Sequence, residues 1–160
     1  MVSARNTYIF DIDGTLADCS KRLPLILDND PPKWDEFEAL TGSDTLIYGA
    51  AKMLWLASLS PFTDIVLLTS RSEGNRAATM AWLSHYGLPY DHLEMRKNGD
   101  QRDAHIVKAE RLKMMELEPY RVITVFEDDA KVVKHLRTLG YHVCQVDDRE
   151  YVTVPDRPKK

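Results

Sequence analysis

Asp11 and Asp13 stand two residues apart at the end of an aromatic and β-branched run, Tyr8-Ile9-Phe10, with Gly14 next in the chain. Residues i and i+2 of a strand share a face, so this spacing predicts two carboxylates converging on one point at the carboxyl end of a buried strand. Gly14 permits the sharp turn that must follow. A second apolar run, residues 122–126, ends in Glu127-Asp128-Asp129, and a third, residues 65–68, ends in Thr69. Carboxylates gathered within a few ångströms repel one another unless a cation lies among them, and all-oxygen donors suit Mg²⁺. Lys108, on the stretch between the second and third of these places, supplies the positive charge that a bound phosphate needs.

The elements that must position these groups follow from the pattern of apolar residues. Apolar residues at helical spacing predict helices near residues 33–40, 46–57, 73–86 and 130–139, and another from about Ile106 to Leu117. Short apolar runs predict strands at 65–68, 93–95, 122–126 and 142–146, with the tail 155–160 mobile. Strand and helix alternate, which predicts an α/β fold with a parallel sheet and helices on both faces. Right-handed crossovers then bring every strand end to one edge, where open α/β sheets place their chemistry.

A chain of 160 residues is one domain's worth, so residues 1–160 are read as a single unit with room for a small insertion. The net charge of −4 argues against the broad basic surface of a non-specific duplex binder. Cys19 and Cys144 lie far apart and lack ligand spacing, so they read as reduced thiols of a cytoplasmic protein. Residues 1–7 lack the apolar core of a signal peptide, and no apolar run approaches a membrane span, so no membrane partner is expected. The five histidines show no ligand spacing. The tryptophans read as packing groups, with Trp34 set apart because it falls in the region expected to cover the site.

Taken together, Asp11-Ile12-Asp13-Gly14-Thr15, Thr69 after its strand, Lys108 and Phe126-Glu127-Asp128-Asp129 resemble the four motifs of the haloacid dehalogenase superfamily of phosphohydrolases. Arg22, Thr69-Ser70-Arg71 with Glu73, Met95-Arg96, Gly99-Asp100, Arg102 and Val107-Lys108 are similar to the phosphatase domain of phage-type polynucleotide kinase-phosphatases. The resemblance implies a Rossmann-like fold with a small helical cap at about 17–45. It also implies a Mg²⁺-dependent phosphomonoesterase working through an aspartyl-phosphate. Asp11 would be the nucleophile and Asp13 the general acid and base. Thr69 and Lys108 would hold phosphate oxygens, and Arg22, Ser70 and Arg71 would contact substrate. Asp11, the Asp13 backbone carbonyl and Asp128 would hold the metal, with Glu127 and Asp129 left open as further supports.

The implied substrate is a phosphorylated nucleotide or nucleic-acid end, above all a 3′-phosphate. The alternative is a nucleoside 5′-monophosphatase, and a non-catalytic binding protein with this fold ranks below both. Two departures from the family pattern bear on the substrate. Ser70 stands where many relatives have glycine, and Ala104 where nucleic-acid-processing relatives carry an acid.

Overall fold

The computed structural model describes residues 5–116 and 120–146. Five strands form one parallel sheet: β1 (Arg5–Phe10), β4 (Thr63–Ser72), β5 (His92–Arg96), β6 (Tyr120–Glu127) and β7 (Val143–Gln145). Their spatial order is β5-β4-β1-β6-β7, with β1 central. Three longer helices follow sheet strands, α4 (Arg76–His85), α5 (Ala104–Glu116) and α6 (Ala130–Thr138), and α3 (Tyr48–Ser58) precedes β4.

The alternation of side chains along the strands divides the core in two. Phe10, Ile65 and Leu67 pack with Leu54, Trp82 and Leu83 on one face, against α3 and α4. Ile9, Val66 and Leu68 pack with Leu112, Val132, Val133 and Leu136 on the other, against α5 and α6. Neighbouring residues of one strand therefore enter opposite cores, as the pleat requires. The register aligns Phe10 with Leu67 on one side and Phe126 on the other, so three strands reach the same edge. There the Phe10 and Phe126 rings stack at 4.3 Å.

Between β1 and α3 runs a segment with its own small core of Cys19, Leu23, Ile26 and Phe37. It contains a two-stranded antiparallel ribbon, β2 (Ala17–Asp18) with β3 (Thr45–Leu46), and two short helices, α1 (Pro24–Leu27) and α2 (Trp34–Ala39). The ribbon has no counterpart in the sequence expectation, because two-residue strands carry no period to detect.

Other elements differ in extent. Thr69 does not close its strand: β4 runs on to Ser72, which pairs with Arg96 of β5 after a register shift. Asp11 and Asp13 lie beyond β1 rather than on it, with the Asp11 amide donating to the Phe126 carbonyl at 3.0 Å. The expected helix 73–86 opens with a 3₁₀ turn, Glu73–Asn75. Leu117 and the tail 155–160 lie outside the described residues. No helix among the described residues is long and apolar enough to cross a membrane.

Candidate active site

One cavity of about 70 Å³ at the carboxyl edge of the sheet is lined by Asp11, Asp13, Arg22, Thr69, Ser70, Arg71, Lys108 and Asp128. The residues expected to act on the substrate, contact it or hold the metal thus meet in one place, whereas Glu73, Met95, Gly99 and Asp100 do not line it. Trp34, Phe37, Glu38 and Thr41 line it from the segment between β1 and α3, and Arg96 and Arg102 line it from the region of β5 and the turn after it.

The two aspartates face different surroundings. Asp11 turns to the centre of the sheet edge, where Lys108 Nζ donates to Asp11 Oδ1 at 2.7 Å and to Glu127 Oε2 at 2.6 Å. All three side chains are buried. Asp11, Glu127 and Asp128 each offer an oxygen, and these oxygens lie within 4.8 Å of one another. Burial, reinforced by Glu127, pushes the Asp11 carboxyl up to about 8 despite the Lys108 ammonium beside it. Burial likewise lifts Glu127 to about 7, with Lys108 opposing and Asp128 adding to the rise. Burial works against the Lys108 charge, but the two acids outweigh it and its pKa moves up.

Three crowded carboxyls share one ammonium, which is why Asp11 and Glu127 hold their protons tightly; a hard divalent cation fits that oxygen donor set and would favour their ionised forms. The backbone is shaped around the same group. Gly14 has φ +85°, and a Cβ placed there would sit 2.2 Å from Asp128 Oδ2, so only glycine lets the turn lie against that carboxylate. Thr15 Oγ1 donates to Asp128 Oδ1 at 3.4 Å. Asp129, by contrast, caps α6 by accepting from the amides of Lys131 and Val132. Of the acids flanking Asp128, Glu127 therefore joins the cluster and Asp129 is occupied elsewhere. The carboxylate of Asp13 is not part of the cluster.

Asp13 turns instead to two arginines. Its Oδ1 accepts from Arg22 Nη2 and Arg71 Nη2, both at 2.6 Å. Burial acts to raise its pKa, but Arg71 and then Arg22 outweigh it and hold the carboxyl down at about 2. The same arginines converge on Asp44, a residue with no signal in the sequence. Arg22 Nε and Nη2 reach its carboxylate at 2.8 and 2.7 Å, and Arg71 Nη2 reaches it at 3.0 Å. Asp44 is held in turn through its carbonyl, which accepts from Trp82 Nε1 at 2.8 Å and from the Tyr86 hydroxyl at 3.3 Å. The Arg22 guanidinium also lies 4.0 Å over the Phe37 ring. Thr69 Oγ1 accepts from the Arg71 amide at 3.2 Å, which ties the end of β4 to the same clamp.

A pH dependence follows with a definite sign. The folded-state pKa of Asp13 is about 2 against 3.8 ordinarily, so its ion pairs stabilise the fold above pH 4 and are lost as pH falls towards 2. The difference amounts to roughly 2 kcal/mol. Denaturant unfolding of the parent and of Asp13→Asn across that range is expected to give a shallower acid limb in the variant. Limbs of equal slope would show that Asp13 is not held ionised.

The model of the polynucleotide kinase PNKP phosphatase domain matches residues 5–151. No curated protein sequence matches significantly. Among solved structures, a chain of the Pnkp1/Rnl/Hen1 RNA repair complex superposes with TM-score 0.75 at 27% identity, covering 91% of this chain and 43% of that one. A second structure of the Pnkp1/Rnl/Hen1 complex gives TM-score 0.72 at 28% identity, with 91% and 46% covered. This chain thus spans less than half the length of either. A subfamily IA hydrolase of the HAD superfamily from Geobacter sulfurreducens PCA shares the fold at TM-score 0.57 and 14% identity, with 89% and 87% covered. With the family model spanning all of the described residues, the chain belongs to the PNKP phosphatase domains of the HAD superfamily.

Proposed function

We propose that this domain is a Mg²⁺-dependent phosphomonoesterase that forms an aspartyl-phosphate on Asp11 and removes a 3′-phosphate from a nucleic-acid end. The observation that carries the reading is the split between two carboxylates in one cavity. Asp11 faces Lys108 and the acid cluster, while Asp13 faces Arg22 and Arg71. Asp11 Oδ attacks phosphorus in line, the bond from phosphorus to the leaving oxygen breaks, and Asp13 protonates that oxygen. Asp13, now a carboxylate, takes a proton from the water that attacks phosphorus, releasing inorganic phosphate and restoring Asp11. The arginines keep Asp13 ionised in the structure described here. A phosphate arriving beside it adds negative charge and competes for the guanidiniums, which raises its affinity for the proton it must deliver.

Asp11, Glu127 and Asp128, with the Asp13 carbonyl, are the residues we assign to Mg²⁺. When bound, the ion screens the nucleophile from the phosphate and polarises a phosphate oxygen. Lys108 holds a phosphate oxygen and pairs with Asp11, and the end of β4 contributes Thr69 and Ser70. Residues 17–45 serve as a cap over the cavity.

The substrate reading rests on charge and setting. Arg96 and Arg102 line the cavity beside the acid cluster and its arginine clamp, basic walls of the kind that a polyanionic end meets. The repair complex among the structural relatives, named for RNA repair, favours the same class. A nucleoside 5′-monophosphatase draws support from Trp34, a half-buried aromatic residue that lines the cavity from the segment between β1 and α3 and offers a ring to a free base.

Phosphate release from a 3′-phosphorylated oligonucleotide, a 5′-phosphorylated one and free mononucleotides, each with Mg²⁺ or a chelator, separates the two. Release from the 3′-phosphorylated end, abolished by chelator, is expected. Release from mononucleotides alone would transfer the assignment to the second reading.

A further inference from the structure

Among the described residues, the cations that line the cavity differ in depth and in what already holds them. Lys108 is buried against Asp11 and Glu127, and Arg22 and Arg71 are buried against Asp13 and Asp44. Arg96 is buried too, and its guanidinium donates to the carbonyls of Ser70, Asp100 and Arg102 at 3.2, 3.2 and 2.5 Å. Arg102 is the exception, with 51% of its side chain exposed. Its guanidinium pairs with two acids outside the cavity lining, Asp100 at 2.7 Å and Glu110 at 2.6 Å.

The main chain of Arg102 is fixed more firmly than its side chain. Its amide donates to Asp100 Oδ1 at 3.0 Å, and Arg96 joins its carbonyl to that of Ser70 in β4. Exposed ion pairs such as Arg102 with Glu110, itself 53% exposed, are worth little, so another anion displaces them at small cost. The walls also differ in sign. The segment between β1 and α3 brings Glu38 to the cavity, and the turn after β5 brings Arg102. A terminal phosphate held at Asp11 and Lys108 occupies the buried end, so the strand that carries it leaves through the exposed end, where Arg102 stands. The first anion of a polynucleotide beyond its terminal 3′-phosphate is the phosphodiester on the 5′ side of the terminal sugar. Its oxygens match the paired N–H donors of a guanidinium.

We propose that Arg102 is a specificity residue that binds this phosphodiester in exchange for Glu110, which makes the domain select a 3′-phosphorylated strand over a nucleoside 3′-monophosphate. The proposal rests on the 3′-phosphatase reading above and adds the second phosphate to it. That phosphodiester does not react, so the contact is equal in the ground and transition states and acts on KM rather than on kcat.

The test compares a dinucleotide bearing a 3′-phosphate with the matching nucleoside 3′-monophosphate in the parent, Arg102→Ala and Glu110→Gln. The parent is expected to favour the dinucleotide by about tenfold in kcat/KM, with the difference in KM. Arg102→Ala brings that ratio near one, and it flattens the dependence of log KM on log salt for a longer 3′-phosphorylated oligonucleotide by about 0.7. Glu110→Gln removes the competing charge and lowers KM for the dinucleotide about twofold, with the monophosphate unchanged. A turn merely disturbed by substitution slows both substrates together and leaves the ratio intact. A parent without preference, a ratio that survives Arg102→Ala, or a Glu110→Gln variant whose KM does not fall overturns the proposal. Calorimetric titration of both ligands into Asp11→Asn, with and without Arg102→Ala, gives the ratio of Kd values without turnover. If neither ligand nor p-nitrophenyl phosphate is hydrolysed by the parent, the phosphatase reading fails by itself, and the Kd ratio still upholds or overturns the role of Arg102.

Discussion

Asp11→Asn removes turnover while leaving the protein folded. The expected loss in phosphate release is at least about 10⁴-fold, which at 1.36 kcal/mol per decade is about 5.4 kcal/mol of transition-state stabilisation. No neighbouring acid can take over. Glu127 is tied to Lys108 at 2.6 Å, and Asp13 is held by Arg22 and Arg71. The fold survives because the substitution nearly preserves shape, and because burial already favours the neutral form of Asp11, with its pKa pushed up to about 8. A neutral amide also relieves the crowding against Glu127, and Lys108 keeps Glu127 as its partner. A Tm within about 4 °C of the parent is therefore expected. Removing the ammonium instead, in Lys108→Met, leaves buried acids facing one another without compensation, and a loss of about 3–5 kcal/mol follows. Parallel measurement of phosphate release and thermal unfolding separates the two cases. Retained activity in folded Asp11→Asn would refute the nucleophile assignment.

The contrast between Asp11 and Asp44 shows what kind of information the chain carries openly. Asp11, Asp13 and Lys108 were legible because each is fixed by a local pattern: acids and a glycine after an apolar run, or a lysine on the helix between two such runs. The parallel sheet was legible for the same reason, since β-branched runs such as residues 65–68 alternate with helical periods. Asp44 has no such marker. It follows a 3₁₀ turn, and its importance comes from contacts with Arg22, Arg71, Trp82 and Tyr86, residues 22 to 42 positions away. Glu127 and Asp129 were visible as acids but not separable by type. Their roles parted only when β6 ran on through Glu127 towards Lys108 and α6 began after Asp129.

The extra turn of sheet in β4 also lay beyond the pattern. Polar residues after residues 65–68 read as the end of a strand, yet Thr69, Ser70 and Arg71 continue it. The Arg71 side chain is drawn inwards to the carboxylates of Asp13 and Asp44, and Ser72 finds a ladder partner in Arg96. Ion pairing and strand pairing from β5 thus override a local propensity for a turn. The consequence is functional. Continuation of the strand carries Arg71 to Asp13, and without it the second guanidinium of the clamp would be missing.

Asp44→Ala is expected to disable the site from a distance. The substitution leaves two buried guanidiniums, on Arg22 and Arg71, to share the single carboxylate of Asp13. Breaking one partner of a buried ionic cluster costs about 3–5 kcal/mol, so Tm falls markedly. Activity falls further than stability alone explains, by about 10²-fold or more at temperatures where the variant remains folded, because neither arginine keeps the orientation that presents Asp13. Asp44→Asn serves as the control for position. It keeps one side-chain acceptor for Arg22 that alanine lacks, and nearly the same shape, so it is expected to recover most of the stability. What it does not recover is the second charge that divides the arginines between two acids. With that charge gone, both guanidiniums bear on Asp13 alone, its proton affinity falls below its already depressed level, and protonation of the leaving alcohol suffers. The expected signature is a variant with near-parental melting but reduced kcat, and with a smaller deficit on a leaving group such as p-nitrophenolate, which departs without a proton. An equal deficit on both kinds of ester would assign Asp44 to packing alone.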